Sequence, residues 1–122
     1  TWGSLPTGIR RIEVMLNKAQ TTNRLLVQLS TGGTFVTAGY DSESDASGNT
    51  STATDGFIIR DGGSGKMILD LFDGNEWVSH HGVGRSAGSG EVDIGGTVDG
   101  IRIIDSGGAS LASGFARIRY YT

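Results

Sequence analysis

The sequence predicts an all-β protein: one antiparallel β-sandwich, jelly-roll-like, with about eight or nine strands. Three observations predict it. Apolar residues alternate with polar ones in run after run, the period of a strand with one face in a core and one in water. Glycine-rich turn signals separate the runs about every ten residues. β-branched residues recur in the runs, and no segment carries helix-capping signals.

The first strand follows a Pro-Gly signal in Leu5-Pro6-Thr7-Gly8. Over residues 9–17, Ile12, Val14 and Leu16 fall on one side and Arg11, Glu13 and Met15 on the other. Ile9, Ile12 and Leu16 also suit a helix, but the turn signal before them and the β-branched runs after them favour a strand. Residues 1–8 lead in, with Trp2 and Leu5 as anchors. A second strand spans 24–29, with Leu25, Val27 and Leu29 on one face. Ser30-Thr31-Gly32-Gly33 reads as a tight turn into a third strand over 34–40. Residues 41–55 hold Ser, Thr, Asp, Gly and Asn with nothing apolar larger than alanine, which predicts a long exposed loop. A short buried strand at 56–60 carries Phe57, Ile58 and Ile59, and a strand at 66–72 alternates Met67, Leu69 and Leu71. Asp73-Gly74-Asn75 turns the chain into a strand at 76–83, and 84–90 reads as a loop. Strands at 91–94, 97–104 and 111–121 complete the chain. The last alternates Ala116, Ile118 and Tyr120 against Phe115, Arg117, Arg119 and Tyr121.

Composition narrows the function classes. The 122 residues suit a single domain over 1–122, which includes the case of a piece of a longer protein. No cysteine is present, so disulfides and thiolate metal sites are excluded. A net charge of −3 argues against a nucleic-acid partner. No run approaches the roughly 18 apolar residues of a membrane span. Glycine is the outlier, 21 of 122 residues against a usual share of about 7%. Hydrophobic content is only 36%, which suggests that a partner subunit completes part of the core.

Several motifs resemble catalytic ones and lack the context their chemistry needs. Gly84-Arg85-Ser86-Ala87-Gly88 matches the nucleophile elbow, which requires a strand, a strained turn, a helix and a later histidine; both histidines precede Ser86. The glycines around Val83 match a dinucleotide pattern, which works only at a helix N-terminus. Gly62-Gly63-Ser64-Gly65-Lys66 lacks the first glycine and the magnesium-binding hydroxyl of a phosphate loop, where Arg60 and Met67 stand. Asp41, Glu43 and Asp45 open like a calcium loop, but Ala46 and Thr52 occupy the turn-glycine and closing-acid positions. No cofactor, metal or catalytic residue is therefore expected, and the chain reads as a non-enzyme.

His80 and His81 are adjacent on a strand and point to opposite faces, so they cannot chelate one metal; one is expected at the surface and one half-buried. Trp77 is expected in the core. Tyr40, at the mouth of the acidic loop, is the expected exposed aromatic. Arg117, Arg119 and Tyr121 share a face suited to a subunit contact. Asn49-Thr50-Ser51 fits a glycosylation sequon, relevant only to a secreted eukaryotic protein. The candidate receptor or partner contacts are thus Tyr40, Asp41, Glu43, Asp45, His80, His81, Arg117, Arg119 and Tyr121.

The run Leu5-Pro6-Thr7-Gly8-Ile9-Arg10-Arg11-Ile12-Glu13-Val14-Met15 resembles a conserved stretch of a C-terminal domain in tailed-bacteriophage fibre and related virion proteins. Leu26-Val27-Gln28-Leu29, Ala38-Gly39-Tyr40, Trp77, Gly100-Ile101-Arg102-Ile103 and Gly114-Phe115-Ala116-Arg117-Ile118 follow in the same order, so the resemblance spans nearly the whole chain. It departs from the pattern where Thr1 begins almost at the motif and where Tyr120 and Tyr121 end the chain. The resemblance implies a β-sandwich, homotrimeric, on the exterior of a phage particle. Its partners would be other virion proteins and a host-surface glycan or protein, with no membrane insertion. The function so implied is a tail- or capsid-fibre domain for assembly and host attachment. A capsid decoration (cement) protein of the same fold and a carbohydrate-binding module are the alternatives; the module needs a row of exposed aromatics, which nine aromatic residues barely supply.

Overall fold

The computed structural model describes residues 1–21 and 23–122. Among them are eleven strands in two antiparallel sheets, and no helix. The strands are β1 (Arg11–Gln20), β2 (Leu25–Thr31), β3 (Thr34–Phe35), β4 (Asp41–Ala46), β5 (Asn49–Ala53), β6 (Phe57–Ile59), β7 (Gly63–Asp73), β8 (Glu76–Val83), β9 (Ser86–Asp93), β10 (Val98–Asp105) and β11 (Ser113–Tyr121). The larger sheet has seven strands in the order β11-β1-β7-β8-β9-β4-β5. The smaller has β2 at its centre, with β10 on one side and β3 and β6 on the other.

The core forms where the two sheets face each other. Ile12, Val14 and Leu16 of β1 meet Met67 and Leu69 of β7 on the inner face of the large sheet, and all five are buried. Leu25, Val27 and Leu29 of β2, with Phe57, Ile59, Ile101 and Ile103, supply the opposing side. Trp77 is buried among them, as expected. Each such side chain contributes roughly 1.5–3 kcal/mol when removed from water. The open edge of β10 is capped by the N-terminal segment. Trp2 exchanges two backbone hydrogen bonds with Ile101 (2.8 and 2.9 Å), and Leu5 N–H donates to Asp99 O at 2.9 Å. Capping hides a row of donors and acceptors that would otherwise template another strand.

The outer face of β2 is covered too, by polar contacts. Gln28 donates from Nε2 to Asp55 O at 2.6 Å and accepts from Arg102 Nε at 2.8 Å. The Arg102 guanidinium in turn lies 4.2 Å from the centre of the Phe35 ring.

The all-β sandwich expectation holds. A jelly roll distributes eight strands over two Greek keys; here the strands number eleven, and β7, β8 and β9 form a meander within the seven-stranded sheet. Three segments differ from their sequence reading. Residues 41–55 are not a loop: β4 and β5 pair as a hairpin, closed by Ser47 and Gly48 at positive φ. Residues 34–40 form only the two-residue β3 before the chain turns away. Residues 84–90 are a tight turn followed by most of β9, which begins at Ser86.

The corrections at 41–55 and 84–90 share a cause, a polar seam between the sheets. The inner faces of β4 and β9 carry Ser42, Ser44, Ala46, Ser86, Gly88 and Gly90 in place of the apolar row that marks a strand in sequence. β6 pairs with β2 along one edge, and its other edge turns its N–H groups toward these hydroxyls. Ile58 N–H donates to Ser42 Oγ and Arg60 N–H to Ser44 Oγ, both at 2.9 Å. Ser86 Oγ accepts from Asp61 N–H at 2.7 Å and donates to Asp61 O at 3.0 Å. Buried backbone donors demand partners, so the serines replace a strand that β6 lacks. Gly90 completes the fit: a Cβ there would lie 2.8 Å from Phe57 Cδ1 and 3.0 Å from Asp41 O.

Candidate functional site

The outer face of the seven-stranded sheet gathers most of the candidate residues. Register fixes which side chains share it, because directly paired residues of antiparallel strands project to the same side. One row crosses the sheet as Arg119, Glu13, Ile68, His80, Ser89 and Glu43. A second runs Tyr121, Arg11, Asp70, Val78, Glu91 and Asp41. A third runs Arg117, Met15, Lys66, Gly82, Ala87 and Asp45.

Charge divides this face. At the β11 end stand Arg117 and Arg119; at the β4–β9 end stand Asp41, Glu43, Asp45, Glu91 and Asp93. Five strand spacings separate β11 from β4, roughly 24 Å before sheet twist is counted. Between the two ends the charges are paired. Arg11 grips Asp70 with two hydrogen bonds, Nε to Oδ1 at 2.7 Å and Nη2 to Oδ2 at 3.2 Å, and these raise the Arg11 pKa further. Glu13 accepts from the Tyr121 hydroxyl at 3.2 Å and lies 3.9 Å from Lys66 Nζ.

The acidic end is a shallow hollow of about 270 Å³ lined by Asp41, Glu43, Glu91, Ser89, Gly90 and Val78. His80 is exposed beside Ser89 at its rim. The basic end carries a second hollow of about 390 Å³ lined by Met15, Leu16, Asn17, Phe115 and Arg117. Phe115 is 72% exposed there, and Tyr120 and Tyr121 are also exposed on the same strand. β11 and β5 are the outermost strands of the sheet, each paired on one side only among the described residues.

Seven of the nine candidate residues therefore lie on one face, six of them toward its two ends and His80 on the central strand β8. The other two are interior. Tyr40 is buried, not exposed: its hydroxyl accepts from Leu29 N–H at 3.1 Å and donates to Val36 O at 2.9 Å, while its ring meets Phe57 edge-on at 5.0 Å. Burial pushes its phenol pKa up to about 12. The reason is local: the chain after β3 needs partners for Val36 O and Leu29 N–H, and a tyrosine turned inward provides both.

His81 is buried where a half-buried side chain was expected. Its Nε2 lies 2.8 Å from Ser44 Oγ. That hydroxyl already accepts from Arg60 N–H, so its own proton is placed for Nε2. Nδ1 and the neighbouring Ser79 Oγ are buried without hydrogen-bond partners. Burial first, and His80 second, hold the His81 pKa down at about 4, so the ring is neutral at physiological pH. Ser86, the serine of the elbow-like run, is engaged with both backbone atoms of Asp61 and opens a strand, not a helix.

Sequence reading missed Glu91, Asp93 and the convergence of β9 on β4. The available signal was the alternation Ser89, Glu91, Asp93, the same period as Asp41, Glu43, Asp45. Among the described residues no cluster of three or more His, Cys, Asp or Glu is arranged to hold a metal ion. Among the described residues no helix is long and apolar enough to cross a membrane.

Fold and face together define the class: a β-sandwich with one broad, charge-divided sheet surface. Comparison with protein-family models, with curated proteins and with solved structures returns no match.

Proposed function

We propose that the chain is a structural domain of a bacteriophage virion, a tail- or capsid-fibre domain that assembles as a homotrimer on the particle exterior and contributes to host-surface attachment. The observation that carries the reading is the divided outer face bounded by two open edge strands, β11 and β5. A surface with opposite charge at its two ends suits head-to-tail association, and a ring of such contacts closes the assembly. The exposed Phe115 and Tyr121 at the basic end, with Tyr120 on the other side of the same strand, supply the apolar and aromatic area that subunit contacts favour. The ordered motifs from Leu5 to Ile118 that resemble virion fibre domains point the same way. The domain acts through its surfaces, with no catalytic residue assigned.

Light scattering coupled to size exclusion at micromolar concentration tests this. A trimer that dissociates as salt rises supports it, because exposed charge pairs are screened over about 10 Å at 0.1 M salt. A monodisperse monomer at low salt overturns the assembly reading.

A further inference from the structure

A second site lies at one pole of the sandwich, away from the charged face. The β1–β2, β6–β7 and β8–β9 connections converge there around a cavity of about 460 Å³, whose lining includes Arg24, Arg60 and Arg85 with Asp61 as the one carboxylate. A chain of net charge −3 thus places three of its ten cations around one hollow. The volume falls in the range of small-molecule sites, about 300–1,000 Å³.

These cations have donors left over. Arg24 Nη1 donates to Arg60 O at 3.2 Å and lies 3.6 Å from Asp61 Oδ1. Arg60 Nη1 donates to Ser51 Oγ. A guanidinium carries five N–H donors, so each keeps several uncommitted. Arg85 is exposed in the turn before β9 and makes no hydrogen bond or ion pair with the described residues. The walls are held from below: Ser86 clamps the Asp61 backbone at both N–H and C=O, and Ser44 holds Arg60 N–H. Gly62 and Gly84 keep the base narrow, since a Cβ on Gly62 would fall 2.1 Å from Ala19 O and one on Gly84 2.7 Å from Gly62 O.

We infer that this pole binds an oxyanion, a phosphate or carboxylate group carried by a small polar ligand, gripped by Arg85 and Arg24. Planar guanidinium forks match the two oxygens of either group, and anion binding relieves the crowding of like charge around the cavity. The inference concerns a different surface from the proposed assembly face and stands or falls separately from it.

Amide NMR titration tests it, with inorganic phosphate in one arm and glucuronate in the other, against sodium chloride at matched ionic strength. Saturable shifts of the Gly62, Gly84 and Arg85 amides are expected with at least one probe, and the stronger probe identifies the source chemistry. Arg85→Ala sits in an exposed turn and should leave the rest of the spectrum unchanged while weakening binding about tenfold, the loss of one charge-assisted contact. Arg117→Ala, at the far basic end, should bind as the parent does. Shifts that fail to saturate, that match chloride, or that survive unchanged in Arg85→Ala overturn the assignment.

Discussion

Acidification should destabilise the fold through one side chain, His81. The ring is 6% exposed, and its pKa drops from 6.5 to about 4 on folding, so the folded state holds fewer protons than the unfolded chain between those values. Stability from this group is complete above pH 6.5 and falls as pH drops toward 4, where the unfolded ring is charged and the folded one resists charging. At about 1.4 kcal/mol for each pH unit of the gap, the total comes to roughly 3 kcal/mol. The carboxylates also titrate in this range, so the comparison needs a reference. His81→Gln removes the titration and keeps an amide able to meet Ser44. Urea unfolding at pH 7.5 and pH 4.0 gives the change in unfolding free energy for each protein. The parent should lose about 3 kcal/mol more than His81→Gln. Equal losses in the two proteins would refute the buried, neutral ring and the seam built around it.

Other perturbations have defined outcomes. Tyr40→Phe strips the shared partner from Leu29 N–H and Val36 O and should cost about 1–3 kcal/mol in denaturant unfolding; in the parent, ultraviolet titration should show one tyrosine ionising near pH 12. Gly90→Ala drives a methyl to 2.8 Å from the Phe57 ring and should cost about 1–3 kcal/mol by overpacking. Asp70→Asn breaks the Arg11 pair, but both side chains are more than a third exposed, so the loss in denaturant unfolding should be small and vanish in high salt. Asp99 accepts from Ser30 Oγ at 2.6 Å and Gly33 N–H at 2.8 Å, and these bonds hold its pKa down. Asp99→Asn should loosen the β2–β3 turn at neutral pH, visible as faster Gly33 amide exchange, with the difference from the parent fading as acid protonates Asp99.

Much of the architecture was legible because hydrophobicity alone encodes it. β1, β2, β7, β10 and β11 bury or abut the core through rows of Ile, Val, Leu and Met, and their period of two is plain in the sequence. β4, β5 and most of β9 were not legible as strands. The inner positions of β4 and β9 hold Ser42, Ser44, Ala46, Ser86, Gly88 and Gly90, which pack through hydrogen bonds and close backbone approach. A hydroxyl that accepts from a buried N–H looks in the sequence like a loop serine. The alternating carboxylates of Asp41, Glu43 and Asp45 marked exposed positions correctly, yet such a run reads as a solvated loop because nothing apolar larger than alanine accompanies it. Tyr40 misled for the opposite reason: nothing in its neighbours announces that two backbone groups need its hydroxyl. The polar cavity at Arg24, Arg60 and Arg85 was invisible, since residues 24, 60 and 85 come together only once β6 docks on β9.

The seam of serines joining β6 to the large sheet holds together the acidic face, the buried histidine and the arginine-lined pole. Native-state hydrogen exchange at Ile58, Arg60 and Asp61 measures it most directly. Protection close to that of the β1 and β7 amides is the expected result. Exchange as fast as an exposed turn at all three amides would mean that the hydroxyls do not hold the sheets, and the account would fail.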